Sequence, residues 1–151
     1  MPEPAPAPAP GLDLDSFLPY LVNVLASRTS RELAGVYEAR FGISIPEWRV
    51  IAHLAQNRNV SVREIHERVD MDKSKVSRAA ARLESVGLIE KKVNPADRRL
   101  VELRLTRKGH KLFAEIVPLA LDYEARLLSA LTPEDRAAFV RAVGILLGDR
   151  R

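Results

Sequence analysis

Apolar side chains in the first third of the chain recur at three- and four-residue spacing. Between Leu14 and Phe41 they fall at Phe17, Leu18, Leu21, Val22, Leu25, Leu33, Val36 and Tyr37, with Thr29 in the same stripe. That period predicts one long helix, and Gly42 is suited to end it. Such a stripe outruns a small domain, so a second subunit is expected to cover it. Three starts of one kind follow. Ser44-Ile-Pro-Glu47, Ser61-Val-Arg-Glu64 and Thr132-Pro-Glu-Asp135 each place a hydroxyl before a helix and an acid three residues on. The first two have the form of full capping boxes and the third is a shorter Asp variant. They predict helices over 45–56, 62–69 and 133–147. Another helix is predicted over 72–85, with Asp72 as cap and Gly87 as stop.

The period changes to that of strands at Leu88. Residues 88–93 and 100–105 read as two strands around the turn-rich Asn94-Pro-Ala-Asp-Arg-Arg99, a hairpin with a basic tip. Thr106 then caps a helix expected to reach Leu131, with Pro118 expected to kink or break it. The predicted fold is mainly α with a small β-hairpin wing. Residues 44–105 form a winged helix-turn-helix, and 12–43 with 106–151 form a helical dimerisation region. Residues 1–11, nearly alternating Pro and Ala, form a tail expected to be disordered and without chemistry.

The 46% hydrophobic content supports a core, and only 5% of residues are aromatic. There is no cysteine, which removes disulfides, thiolate metal sites and cysteine nucleophiles. No signal-peptide pattern or membrane-length apolar run is present, and a cytoplasmic protein without membrane contact is expected. The net charge is +4, and its location is more informative. Ser61–Lys108 carries 13 Lys+Arg against 8 Asp+Glu, whereas the remaining residues carry 11 against 12. The whole surplus lies in one stretch, as a phosphate-binding surface requires, although a solvated basic face has the same count.

On a helical wheel, Val76, Ala80 and Leu83 share a face with Ala79 beside them. Ser74, Arg78 and Ala81 lie opposite, flanked by Lys75 and Arg82. An ordinary amphipathic helix would show this split. Its position, after a tight connection and before a basic hairpin, favours a recognition helix in the major groove, with Arg78 able to bond guanine bidentately. Ser74 and Ser77 suit phosphates or bases, and Lys73 and Lys75 suit phosphates. At the hairpin tip, Asp97 is expected to orient Arg99, with Arg98 placed to enter the minor groove. The alternative is a surface salt bridge. Ser61, Arg63 and Arg82 complete the DNA-contact candidates.

These residues resemble a known family. Asp72-Lys-Ser-Lys-Val-Ser-Arg78, Leu83-Glu-Ser-Val-Gly-Leu-Ile89, Asp97-Arg-Arg99 and Leu105-Thr-Arg-Lys-Gly109 are similar to motifs of the MarR (multiple antibiotic resistance regulator) family of winged-helix regulators. Its Asp-x-Arg wing motif falls on Asp97 and Arg99, and its Leu-Thr-x-x-Gly motif on Leu105, Thr106 and Gly109. Trp48-Arg-Val-Ile51 also suits the family's second helix. The resemblance spans about residues 14–148. It implies a homodimer interlocked through the first, fifth and sixth helices, and an inverted-repeat operator in double-stranded DNA read by two symmetry-related helices.

No phosphate loop, nucleophile elbow or distinct carboxylate pair suggests an enzyme, so no catalytic residue is expected. His53, His66 and His110 have no His or Cys partner at helical spacing, and neither a metal site nor a cofactor is expected. The resemblance does imply a small-molecule effector, a small aromatic carboxylate or its CoA ester. Ser27, Arg28, Trp48, Arg49 and His53, where the first two helices should meet, are its candidate residues. Trp48 equally suits the core, and Arg28 an intersubunit ion pair. The reading is a sequence-specific DNA-binding regulator, a repressor relieved by such an acid. The alternative is a nonspecific or architectural DNA-binding protein without a ligand.

Overall fold

The computed structural model describes residues 11–57, 60–97, 99 and 101–148. The expectations for residues 1–10, for Arg98 at the wing tip and for a strand starting at Leu100 lie outside these residues. The chain order is α1 (Leu18–Phe41), α2 (Ile45–Gln56), β1 (Val60–Ser61), α3 (Val62–Val69), α4 (Lys73–Ser85), β2 (Ile89–Val93), β3 (Val101–Leu105), α5 (Arg107–Leu128) and α6 (Pro133–Leu147).

Local chemistry accounts for most boundaries. In both predicted boxes the two arms are made: Glu47 N–H donates to Ser44 Oγ at 3.3 Å and Ser44 N–H to Glu47 Oε2 at 3.2 Å. Ser61 and Glu64 repeat this at 3.2 and 3.1 Å. At Thr132 one arm forms, from Asp135 N–H, because the Asp side chain is a methylene shorter than Glu. Gly42 closes α1 at φ 66, donating to the Glu38 carbonyl, a left-handed geometry that suits glycine.

Some expectations need correction. The first helix begins at Leu18, not near Leu14, since Pro19 occupies its first turn and is tolerated only there. Upstream, Asp13 accepts from Asp15 N–H and Ser16 Oγ, forming a turn instead. Asp72 sits at the N-cap of α4 but makes no side-chain capping bond. The fifth helix ends at Leu128 rather than Leu131, and runs through Pro118 without a break. Pro118 and Ala114 are both exposed, so the carbonyl that loses its donor faces solvent rather than the core.

The hairpin is part of a three-stranded antiparallel sheet in the order β1-β3-β2. β1 pairs Val60 with Leu103 and Ser61 with Glu102, while β2 and β3 pair from Ile89↔Leu105 to Val93↔Val101. Two residues are too few for a period, so β1 left no pattern in the sequence. The core lies between the sheet and α1–α5, with Tyr37, Ile43, Val50, Ile51, Ile65, Val76, Leu83, Ile89, Leu103 and Ile116 fully buried. Each such aliphatic side chain contributes roughly 1.5–3 kcal/mol.

The outer helices are different. The C-terminal half of α1 buries Ala34 and Tyr37, but Leu18, Leu21, Val22 and Leu25 remain exposed. α6 buries no residue and exposes Phe139, Val140, Val143, Ile145, Leu146 and Leu147. Among the described residues, no helix is long and apolar enough to cross a membrane.

Candidate nucleic-acid interface

α4 packs on α2 and α3 through Val76, Ala79, Ala80 and Leu83, all buried, while Lys73, Ser74, Lys75, Ser77, Arg78 and Ala81 are exposed. The wheel therefore assigns the two faces as expected. The link between α3 and α4 is set by Asp70, in the left-handed region at φ 53, and by His66. Nδ1 of His66 lies 2.5 Å from the carbonyl oxygen of Met71. A carbonyl only accepts, so Nδ1 carries the proton.

At the wing tip, Asp97 Oδ1 accepts from the backbone N–H of Arg99 at 3.0 Å and from its Nε at 3.3 Å. The Arg99 side chain is 92% exposed, so the carboxylate aims the guanidinium without withdrawing it. At the wing base, Thr106 accepts from Gly109 N–H and donates to the Gly87 carbonyl at 2.6 Å. Lys108 Nζ donates to the Val86 carbonyl. A Cβ on Gly109 would lie 2.1 Å from the Leu88 oxygen. The Leu-Thr-x-x-Gly motif thus locks the end of the α4–β2 connection onto α5, and its glycine is required by close backbone approach.

Three other DNA-contact candidates have intramolecular partners. Ser61 Oγ is the α3 cap. Arg63 Nε donates to Glu67 at 3.1 Å while remaining 84% exposed, a pairing of little energetic weight. Arg82 lies at the edge of the α4 face, and its guanidinium is 2.5 Å from Oε2 of Glu47. Glu47 is a buried acid, 6% exposed. Sequence reasoning recognised Glu47 only as a capping residue, because nothing local links positions 35 apart.

Of the five effector candidates, three converge. Trp48, Arg49 and His53 line a concavity of about 330 Å³ with Ala52, Gln56 and Val69. Ser27 and Arg28 are exposed on α1 and do not line it. Ser30, three residues after Ser27, is the α1 residue that meets Arg49, accepting from its Nη2 at 3.4 Å. Trp48 is half-buried between Tyr37 and Phe113, with centroid separations of 5.5 and 5.8 Å, so one of its main roles is in the core. Burial and, less strongly, Glu38 push the Tyr37 phenol up to about 12 against the opposing pull of Arg49. His53 Nε2 is buried with no hydrogen-bond partner among the described residues. Burial and then the Arg68 charge hold its pKa below the usual 6.5, partly offset by Glu64.

A tight helix pair whose second member presents cations, followed by a wing with an oriented arginine, defines a winged helix-turn-helix DNA-binding protein. The family model described as the MarR family matches residues 41–100. The repressor MdtR of Bacillus subtilis is 36% identical over 103 residues, 67% of this chain and 66% of that protein. The chain therefore spans just under two thirds of that relative's length. A MarR family transcriptional regulator from Silicibacter pomeroyi is 31% identical, with 89% of each chain covered and a TM-score of 0.78. Bordetella bronchiseptica BpsR, whose DNA binding is regulated by 6-hydroxynicotinic acid, is 22% identical. The similarity covers 89% of this chain and 95% of that one, at a TM-score of 0.79, and shows the shared fold. The chain belongs to the MarR family of winged helix-turn-helix transcriptional regulators, a family of DNA-binding proteins rather than enzymes.

Proposed function

We propose that the protein is a dimeric repressor that reads an inverted-repeat operator. In this reading residues 44–105 contact DNA, and residues 12–43 with 106–151 join the subunits. The observation that carries it is the outward face of α4, where Lys73, Ser74, Lys75, Ser77 and Arg78 are all exposed above a wholly apolar inward face. Arg78 reads a base edge, the lysines and serines hold phosphates, and Arg99, aimed by Asp97, reaches the adjoining groove. Two such faces need a two-fold axis. The uncovered apolar side chains of α1 and α6 supply a surface for it, with Val22, Leu25, Leu127, Leu131, Phe139 and Val143 around a shared apolar cleft.

Selection of bound duplexes from a randomised pool, followed by competition gel shifts, tests this. Enrichment of an inverted repeat that outcompetes mixed-sequence DNA is the expected result. Equal affinity for any duplex would instead indicate an architectural protein.

Release by a small aromatic carboxylate, or its CoA ester, is the reading we favour for control. Arg49 and His53 beside the Trp48 ring could take a carboxylate and an aromatic body. The effector of BpsR, 6-hydroxynicotinic acid, has that chemistry. Ligand would favour a dimer whose recognition helices are mis-spaced. A thermal-shift screen with aromatic acids and their CoA esters tests it, and stabilisation by none of them removes this part of the proposal.

A further inference from the structure

α4 is seated against α2, α3 and β2, with Val76 and Leu83 fully buried. Its buried face is built from Val76, Ala79, Ala80 and Leu83, and two of those four are alanines, which offer little to interlock with α2. Along one edge of the contact there is a cleft of about 390 Å³ rather than packed side chains, bordered by Pro46, Glu47, Lys75, Arg78 and Arg82. What crosses this edge is the Arg82–Glu47 pair, at 2.5 Å. The Glu47 carboxylate is itself fixed, because the same oxygen accepts from the Ser44 backbone at 3.2 Å. The α2 N-cap is thereby tied to the recognition helix.

Lys75, Arg78 and Arg82 are spaced i, i+3 and i+7, so they share one column of the helix. Fixing the azimuth of Arg82 fixes that of Lys75 and Arg78. We infer that Arg82 and Glu47 form a positioning clamp that sets the rotation of α4 for base reading, and that Arg82 is not a phosphate contact. The inference rests on the reading of α4 as the recognition helix. Its charge balance agrees: the half-exposed Arg82 meets a buried carboxylate, and removing the arginine would leave the Glu47 charge uncompensated at the helix–helix contact.

The two roles differ in what they do to specificity and to salt dependence. A phosphate contact contributes to every duplex, and its loss lowers the slope of log K against log salt by about 0.9. A positioning residue acts on base contacts alone. The test is fluorescence anisotropy with a selected inverted-repeat duplex and a mixed-sequence duplex of equal length, over a series of salt concentrations. Arg82→Ala and Glu47→Gln are each expected to weaken the selected duplex about five- to tenfold, the scale of one impaired base contact. Both should leave mixed-sequence affinity and the salt slope unchanged, and the double variant should lose no more than either single one. Gln at 47 can keep the capping bond, so that variant separates the clamp from the fold of α2, and far-UV melting verifies each folded population.

Equal losses on both duplexes with a reduced slope for Arg82→Ala, or tighter binding by Glu47→Gln as the arginine is freed, would overturn the clamp. Arg78→Ala run in parallel tests the underlying reading. If Arg78→Ala leaves both affinities unchanged, the assignment of α4 fails. If it loses affinity while Arg82→Ala behaves as a phosphate contact, only the clamp fails.

Discussion

Gly109 is constrained by the backbone of another segment rather than by its own dihedral angles. The Leu88 carbonyl occupies the space that any Cβ would need, at 2.1 Å, and this carbonyl also accepts from Thr106 N–H at 3.0 Å. Neither group can withdraw without losing the joint between wing and α5. Gly109→Ala should therefore destabilise the protein by about 1–3 kcal/mol or more, the range for overpacking a filled site, as measured by urea unfolding. His53 gives a pH prediction at the same scale. Its folded pKa lies below 6.5, so below that pH the unfolded chain binds more protons. The neutral imidazole's contribution is complete above 6.5 and is lost as pH falls from there through the depressed folded value. The melting temperature should fall between about pH 7 and about pH 5 by more in the parent than in a His53→Gln variant. Equal pH profiles would show that His53 titrates alike in both states.

In the proposed reading the recognition element is α4, a helix of 13 residues whose two faces have separate duties. One is apolar and small enough to sit against α2 and α3, and the other is basic. A substitution on the outer face should change binding without changing stability, because Arg78 is exposed and no hydrogen bond or ion pair to it is present among the described residues. Arg78→Ala should cost about 1–3 kcal/mol on the selected operator if its contact is bidentate, and relax base preference at one position per half-site. Gel shifts with singly substituted operators read this directly, and an unchanged preference would place base reading elsewhere. The wing works differently. Its strands are joined by a ladder from Ile89↔Leu105 to Val93↔Val101 and by the Arg104–Glu90 pair at 2.5 Å. This stiffens the arm that carries Asp97 and Arg99.

For the molecule as a whole, the distribution of burial is uneven. The core centres on the winged helix-turn-helix, whereas α6 and the first half of α1 expose rows of large apolar side chains. Contiguous apolar surface of this kind marks an interface, and here it is continuous with the cleft between α1, α5 and α6. A charge placed there, as in Leu25→Glu or Val143→Glu, should shift the dimer expected in analytical ultracentrifugation toward monomer. It should abolish inverted-repeat binding, because one half-site alone carries only part of the contacts. A variant that remains dimeric would move the interface to another face.

Features that depend on neighbours within a turn or two of the chain are set by local sequence. The two capping boxes, the Gly42 stop and the Asp97–Arg99 pair involve residues at most four apart, the two faces of α4 follow from repeated steps of three and four, and each is legible from spacing. The family motif carried the wing and the α5 start as well. Tertiary structure alone decided the rest, because those interactions join positions that have no local relation. β1 exists only by pairing with β3, Gly109 is needed only because Leu88 lies against it, and Arg49 meets Ser30 rather than Ser27 or Arg28. Arg82, which composition and wheel place among the DNA contacts, is turned toward a buried Glu47 brought to it by the packing of α2 on α4. Local chemistry built each helix, whereas long-range packing assigned each helix its rotation and thereby chose which of its cations face outward.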